Sequence, residues 1–179
     1  MKFNIFKSIF RNNKNSDSMD KKAEELDELG LLKNELMEYD KNVDFYYTNL
    51  INSLILYTYN SIELESLAPI LIDPLTELYE ELDYAFLPVC FETVFRNAKI
   101  DIEFKEQLLR FKNQVDEIPN EIWDYEFIDN HEKWFEVKKS AEKILTNIGI
   151  QHRLFDCKNH QVLDMNDNVI YQKPDTNEK

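Results

Sequence analysis

Residues 129–149, DNHEKWFEVKKSAEKILTNIG, carry the pattern that sets the fold class. Trp134, Val137, Ala141, Leu145 and Ile148 recur at three- and four-residue steps, the spacing that lines one face of an α-helix. Asp129 and Glu132 stand three apart at the start, which matches a capping box, and Gly149 is placed to end the helix as a left-handed cap. The stretch therefore predicts a helix bounded at both ends by its own residues.

The same periodicity extends towards the N-terminus. A helix is expected near Asp101, with Phe104, Leu108, Phe111 and Val115 inward, ending before Pro119. Asp73-Pro74 reads as a further start, Asp at the N-cap and Pro at the first helical position, followed by Leu75, Leu78, Leu82, Phe86 and Val89. Pro88 should kink or interrupt that helix. Residues 45–62 contain no charge, yet Thr48, Asn49, Asn52, Ser53 and Thr58 are too frequent for a bilayer span. A central helix buried on most sides fits them, and their β-branched and aromatic content leaves a strand pair open. From Ser18 to about Tyr39, Met19, Ala23, Leu26, Leu29, Leu32 and Leu36 predict an amphipathic helix with an acidic outer face.

After Gly149 the period changes. Ile150 to Phe155, Val162-Leu163 and Val169 to Tyr171 are β-prone runs separated by Asn and Asp, which predicts a small hairpin or a three-strand meander. The expected fold class is thus mainly α, a helical bundle with a small C-terminal β-hairpin or meander. One domain is expected over residues 18–172, preceded by a leader and linker over 1–17 and followed by a disordered tail over 173–179.

Composition points the same way. Only two glycines, Gly30 and Gly149, occur in 179 residues, too few for the tight turns of an all-β chain or for a Gly-rich phosphate cradle. Apolar residues make up 43% and aromatics 13%, so the chain can build a core despite its 31% charged residues. The net charge of −14 repels nucleic-acid phosphates and argues against direct nucleic-acid binding. Residues 1–14 carry four bases and no acid, residues 15–149 carry 30 acids against 13 bases, and the remainder is near neutral. In the leader, Phe3, Ile5, Phe6, Ile9 and Phe10 fall on one side of a helical wheel and Lys7, Arg11 and Lys14 on the other. That pattern suits weak contact with an anionic membrane surface or a partner groove, and also a leader that is loose or tucked against the body. Lys7 interrupts its apolar stretch and no small-residue cleavage site follows, so it does not read as a signal peptide. Cys90, within the apolar run Leu87 to Phe91, reads as a buried thiol in a reducing compartment, and the expected location is cytoplasmic.

Motifs that carry chemistry are incomplete. Cys157 and His160 have a C-x-x-H spacing, but no second pair supplies the four ligands of a zinc site. Asp164, Asn166 and Asn168 open like a calcium loop, which fails where Val169 replaces the required Gly and Asp175 the closing Glu. His131-Glu132 lacks the second His of a zincin, and no Gly-x-Ser-x-Gly elbow is present. No catalytic, metal or cofactor residue is singled out, and the expectation is a non-catalytic protein without a cofactor. An enzyme whose site is a purely spatial constellation stays open as an alternative.

The most distinctive segment is Asp116 to Glu136, with eight acids against the single base Lys133, interleaved with Trp123, Tyr125, Phe127, Trp134 and Phe135. Carboxylates complement Arg and Lys, and aromatic anchors supply buried contact area, so Glu121, Trp123, Asp124, Tyr125, Glu126, Asp129 and Glu132 form the candidate partner-binding set. The two tryptophans are expected first to fill a helical junction, with the acids facing water.

The run from Phe111 to Glu126, followed by Trp134, Val137, Ala141, Ile144-Leu145 and Ile148-Gly149-Ile150, resembles small acidic immunity proteins of bacterial polymorphic and contact-dependent toxin systems. The resemblance covers about 40 of the 179 residues and carries no functional residue to a particular position. It implies a cytoplasmic immunity or inhibitor protein that neutralises a basic toxin or effector, such as a nuclease, by occluding its active site. An adaptor or assembly subunit of a bacterial complex is the alternative binding role.

Overall fold

The computed structural model describes residues 26–68 and 70–157, with the backbone alone of residues 161–163 and 169–172. Eight helices lie within the described residues: α1 (Lys33–Lys41), α2 (Val43–Leu56), α3 (Ser61–Glu65), α4 (Pro74–Ala85), α5 (Pro88–Arg96), α6 (Lys105–Asp116), α7 (Tyr125–Ile128) and α8 (Glu132–Asn147). The mainly helical class holds.

The uncharged stretch is helical as far as Leu56, where α2 ends. Eight consecutive residues of α2, Asn49 to Leu56, are buried, so neighbours cover the helix all the way round. A helix satisfies its own backbone internally, which lets so polar a sequence sit at the centre without a neighbouring strand. Leu78 and Leu82 of α4, Phe91 and Val94 of α5, and Trp134, Val137, Ala141 and Leu145 of α8 belong to the same core. α6 packs against α8 and adds Leu108, Phe111 and Val115. At the centre, the Tyr57 ring meets Phe111 edge-on at 5.4 Å and stacks on Trp134 at 6.3 Å, while its hydroxyl donates to the Leu78 carbonyl.

The polar residues of α2 have specific partners. Ser53 Oγ donates to the Leu50 carbonyl one turn back. Asn52, 2% exposed, donates through Nδ2 to the Asp156 carbonyl (2.8 Å) and accepts the Asp156 N–H on Oδ1 (2.9 Å). Tyr59 repeats the arrangement, its hydroxyl donating to the Arg153 carbonyl and accepting the Phe155 N–H. The segment after α8 is thereby strapped across α2 by two side chains. This corrects the expected meander: Ile150 to Phe155 forms no strand, because its backbone groups pair with Tyr59, the Arg153 guanidinium and the end of α8 rather than with a neighbouring strand. Of the expected C-terminal hairpin, only the backbone of Gln161–Leu163 and Val169–Gln172 lies within the described residues, and residues 158–160 and 164–168 lie outside them.

Pro88 does interrupt its helix. α4 ends at Ala85, Leu87 is extended as a residue before proline prefers to be, and Pro88 occupies the first position of α5. Asp73 stands at the N-cap of α4 ahead of Pro74, but its carboxylate accepts from Thr76 Oγ1 rather than from the backbone. Near Asp101 a 3-10 turn (Ile102–Phe104) leads into α6, and the Asp101 carboxylate accepts the Glu103 N–H.

Two helix boundaries differ from expectation. The helix expected from Ser18 to Tyr39 does not run through residues 26–32: the Asp27 carboxylate accepts the N–H groups of Leu29 and Leu31, Gly30 adopts φ +77°, and α1 begins only at Lys33. An acceptor side chain and a left-handed glycine compete with helix hydrogen bonding and win locally. Residues 18–25, the leader and the tail lie outside the described residues. The second correction is the start of α8. His131, not Asp129, is its N-cap, with Nδ1 accepting the Lys133 N–H at 3.2 Å. At the other end, Gly149 at φ +86° donates to the Thr146 carbonyl and Ile150 to the Leu145 carbonyl, the Schellman arrangement.

Candidate functional site

The acidic-aromatic segment folds as a short turn between α6 and α8. Pro119 starts a 3-10 turn (Asn120–Ile122) and Asp124, in extended conformation, caps α7 by accepting the Glu126 N–H at 3.1 Å. Both tryptophans lie beneath this turn. Trp134 is 1% exposed and donates its indole N–H to the Ile122 carbonyl at 2.8 Å. Trp123, half-buried, donates to the Leu75 carbonyl at 3.1 Å and meets Tyr79 edge-on at 5.7 Å. The two indoles touch, with centroids 4.9 Å apart. Their polar atoms are thus satisfied within the protein, and they join α4 and α8 at one junction.

Asp129 also has internal partners. Its Oδ2 accepts the Ser61 hydroxyl (2.5 Å) and the Ser61 N–H (3.0 Å), and its Oδ1 accepts from Lys138 Nζ (2.8 Å). Burial pushes its pKa upward, but the hydrogen bonds from Lys138 and Ser61 outweigh this and hold the carboxyl below its ordinary value. Asp129 therefore fastens α3, α7 and α8 together, which is why it is not at the N-cap of α8.

Outside this pin, α3 packs against both α4 and α7, bringing residues distant in sequence onto one face. Asp124 and Glu126 at the start of α7 are exposed, as is Glu121 in the 3-10 turn ahead of it. Tyr125 is half-buried beside the carboxylates of Asp73 and Glu65; burial first, and then those two charges, raise its pKa. None of Glu65, Asp73, Glu121, Asp124 and Glu126 forms an ion pair among the described residues. Of the nearby bases, Lys138 is held by Asp129, and Lys133 donates to the Glu117 carbonyl. Two isoleucines project from the same elements, Ile62 at 75% and Ile72 at 71% exposure. Ile62 shares the Glu65 side of α3 at i, i+3 spacing, and Ile72 immediately precedes Asp73. Glu132 is also exposed, at the first position of α8.

Of the candidate set, the structure leaves Glu121, Asp124 and Glu126 exposed, sets Tyr125 beside Asp73 and Glu65, half-buries Trp123 and holds Asp129 inside the scaffold. Glu65, Ile62 and Ile72 were not singled out from the sequence, and Asp73 was read only as a helix start. Each is about 50 residues or more from α7, and an exposed isoleucine in a short helix has no periodic signature that separates it from a core one.

The gathered side chains are hydrogen-bond acceptors of negative charge and apolar contacts, the chemistry that receives guanidinium and ammonium groups. Among the described residues no group of three or more His, Cys, Asp or Glu is arranged to hold a metal ion, and His160 lies outside them. Cys90 and Cys157 are free and buried. Among the described residues no helix is long and apolar enough to cross a membrane. Comparison with protein-family models, curated proteins and solved structures finds no match to this chain.

Proposed function

We propose that this chain is a non-catalytic binding protein that receives a basic protein partner on the face formed by α3, the start of α4 and α7. The observation that carries this reading is the meeting of exposed carboxylates without ion partners, Glu65 of α3 and Asp73 at the start of α4, beside Tyr125 of α7, with the exposed Asp124 and Glu126 flanking Tyr125 in sequence and Ile62 and Ile72 on the same segments as Glu65 and Asp73. Carboxylates that no internal cation neutralises remain available to an incoming Lys or Arg, and the two isoleucines supply apolar area that excludes water from those contacts. The net charge of −14 speeds encounter with a cationic surface. The resemblance of residues 111–150 to immunity proteins supports an inhibitor role. Bound over the basic cleft of a toxin or nuclease, the carboxylates would stand where substrate phosphates lie, and the cleft would be occluded.

The test is affinity for the partner recovered from the native cell, measured for two variants. One carries Glu65→Gln, Asp73→Asn, Glu121→Gln, Asp124→Asn and Glu126→Gln; Asn retains the capping ability of Asp124. The other carries Ile62→Ser and Ile72→Ser. Each should lower affinity at least about tenfold, as losing even one 1.4 kcal/mol contact does. The wild-type complex should weaken steeply between low and moderate salt. An acidic partner with salt-insensitive binding, or variants within a few-fold of wild type, would defeat the proposal.

A further inference from the structure

Asp73 stands at the head of an acidic line that runs the length of α4. It donates its N–H to Glu77 Oε1 at 3.2 Å, and Glu80 and Tyr84 follow Glu77 at steps of three and four. The four residues share one side of α4 over about 17 Å, away from the buried Pro74, Leu78, Leu82 and Ala85. Asp73, Glu80 and Tyr84 are exposed and Glu77 is half-buried. None of these three acids forms an ion pair among the described residues. α4 contains no base, and two bases of neighbouring segments are taken, Lys112 by Asp83 and Asp116 and Lys99 by Asp44. Burial raises the Glu77 pKa, the N–H groups of Asp73 and Ile72 lower it, and the like charge of Glu80 raises it again. Like charges one helical turn apart cost stability, and nothing in the fold offsets that cost here.

The far end of the line is aromatic. Tyr84 meets Phe45 of α2 edge-on at 6.3 Å, and the two are 40% and 38% exposed. Behind them Phe45 lies 5.6 Å from Tyr46, which lies 6.0 Å from Tyr39 of α1. The Tyr84 hydroxyl is hydrogen-bonded to the Cys90 thiol, so its ring is held in place before any partner arrives and little ordering is left to be done on binding. Acids and rings that recur at helical steps are matched by a second helix whose bases recur at the same steps, and a guanidinium also stacks on aromatic faces.

We propose that the basic partner lays an α-helix along this ridge of α4, its basic side chains on Asp73 and Glu80 and an arginine on the Phe45–Tyr84 rings. This rests on the reading that α3, the start of α4 and α7 receive a basic protein, and it extends that face along α4 to α2.

The probe is a fluorescein-labelled, alanine-rich helical peptide with four arginines spaced by four, three and four residues, all on one side. Its control has the same composition with the arginines spread round the helix. Fluorescence anisotropy with the full chain should show the one-sided peptide binding about tenfold more tightly than the control. Glu80→Lys with Phe45→Leu should weaken the one-sided peptide about tenfold; Glu80 is exposed, and Leu keeps apolar volume at position 45 while removing the ring. No binding, equal binding of the two peptides, which reports net charge alone, or a variant within twofold of wild type would overturn the proposal. The two readings fail separately. If that variant binds like wild type while the chain with Glu65→Gln, Asp73→Asn, Glu121→Gln, Asp124→Asn and Glu126→Gln loses the peptide, the ridge is refuted and the α3–α4–α7 face stands. If both bind like wild type, the face falls with the ridge.

Discussion

Replacing Asn52 with Ala is the most direct test of how the end of the described chain is held. Asn52 is 2% exposed and makes two hydrogen bonds, of 2.8 and 2.9 Å, to one backbone residue, Asp156, that is 104 positions away. Each bond has a net worth of about 1 kcal/mol, and taking away the side chain also withdraws the partner of a partly buried N–H and C=O, at about 1 kcal/mol more in total. Asn52→Ala should therefore destabilise by about 3 kcal/mol, a large share of the 5–15 kcal/mol typical of a domain. For a chain of this size the melting temperature should fall roughly 6–12 °C. Urea unfolding followed by far-ultraviolet circular dichroism measures the effect, with the midpoint shifted and the slope retained. Asn52→Asp should be at least as damaging, since it keeps the acceptor for the Asp156 N–H but turns a buried charge towards the Asp156 carbonyl. Tyr59→Phe, which removes the second clasp, should cost about 1 kcal/mol alone and couple to Asn52→Ala by 0.5 kcal/mol or more, because both hold one strap. If Asn52→Ala cost less than about 0.5 kcal/mol, a surface-like value, the strap would contribute nothing to the fold and the argument would fail.

Two further outcomes follow from the site and its scaffold. Asp129→Asn should cost about 1 kcal/mol, a figure kept modest because the carboxylate is 34% exposed. Its folded pKa is depressed, so this stability is fully present above the unfolded value near 3.8 and is lost as pH falls through the lower folded value; wild type and variant, compared by urea midpoints, should converge at that acid end. Gly149→Ala meets no atom within 4 Å, so its cost is the backbone strain at φ +86° alone, about 1 kcal/mol; Gly149→Asn should cost less in the same thermal melt, and equal melting of wild type and the Ala variant would contradict the strain account.

The helices were legible because their signals are local. Trp134, Val137, Ala141 and Leu145 share a face by spacing alone, Pro74 and Pro88 stand at helix starts, and Gly149 is one of two glycines, the residue type that turns left-handed without a side-chain clash. Residues 45–62 were not decidable in this way. Burial on all sides erases the apolar-polar alternation that distinguishes helix from strand, and only the surrounding α4, α5 and α8 show why α2 has no polar face. The site was half legible. The acids of α7 could be counted, but which of them face outward could not. Asp129 has the spacing of a capping box and instead fastens Ser61 and Lys138, partners chosen by packing between α3, α7 and α8.

The sequence alone determined a helical, acidic body, because side-chain period, proline and glycine act on neighbours three or four residues away and charge simply adds. The tertiary structure alone decided which polar groups are consumed inside and which remain available. Asn52, Asp129 and Trp134 satisfy their hydrogen bonds internally, while Glu65 and Asp73 come together beside Tyr125 of α7. Those pairings depend on three-dimensional proximity across tens of residues, and a hydrogen bond between distant residues leaves no periodic trace in the chain that makes it.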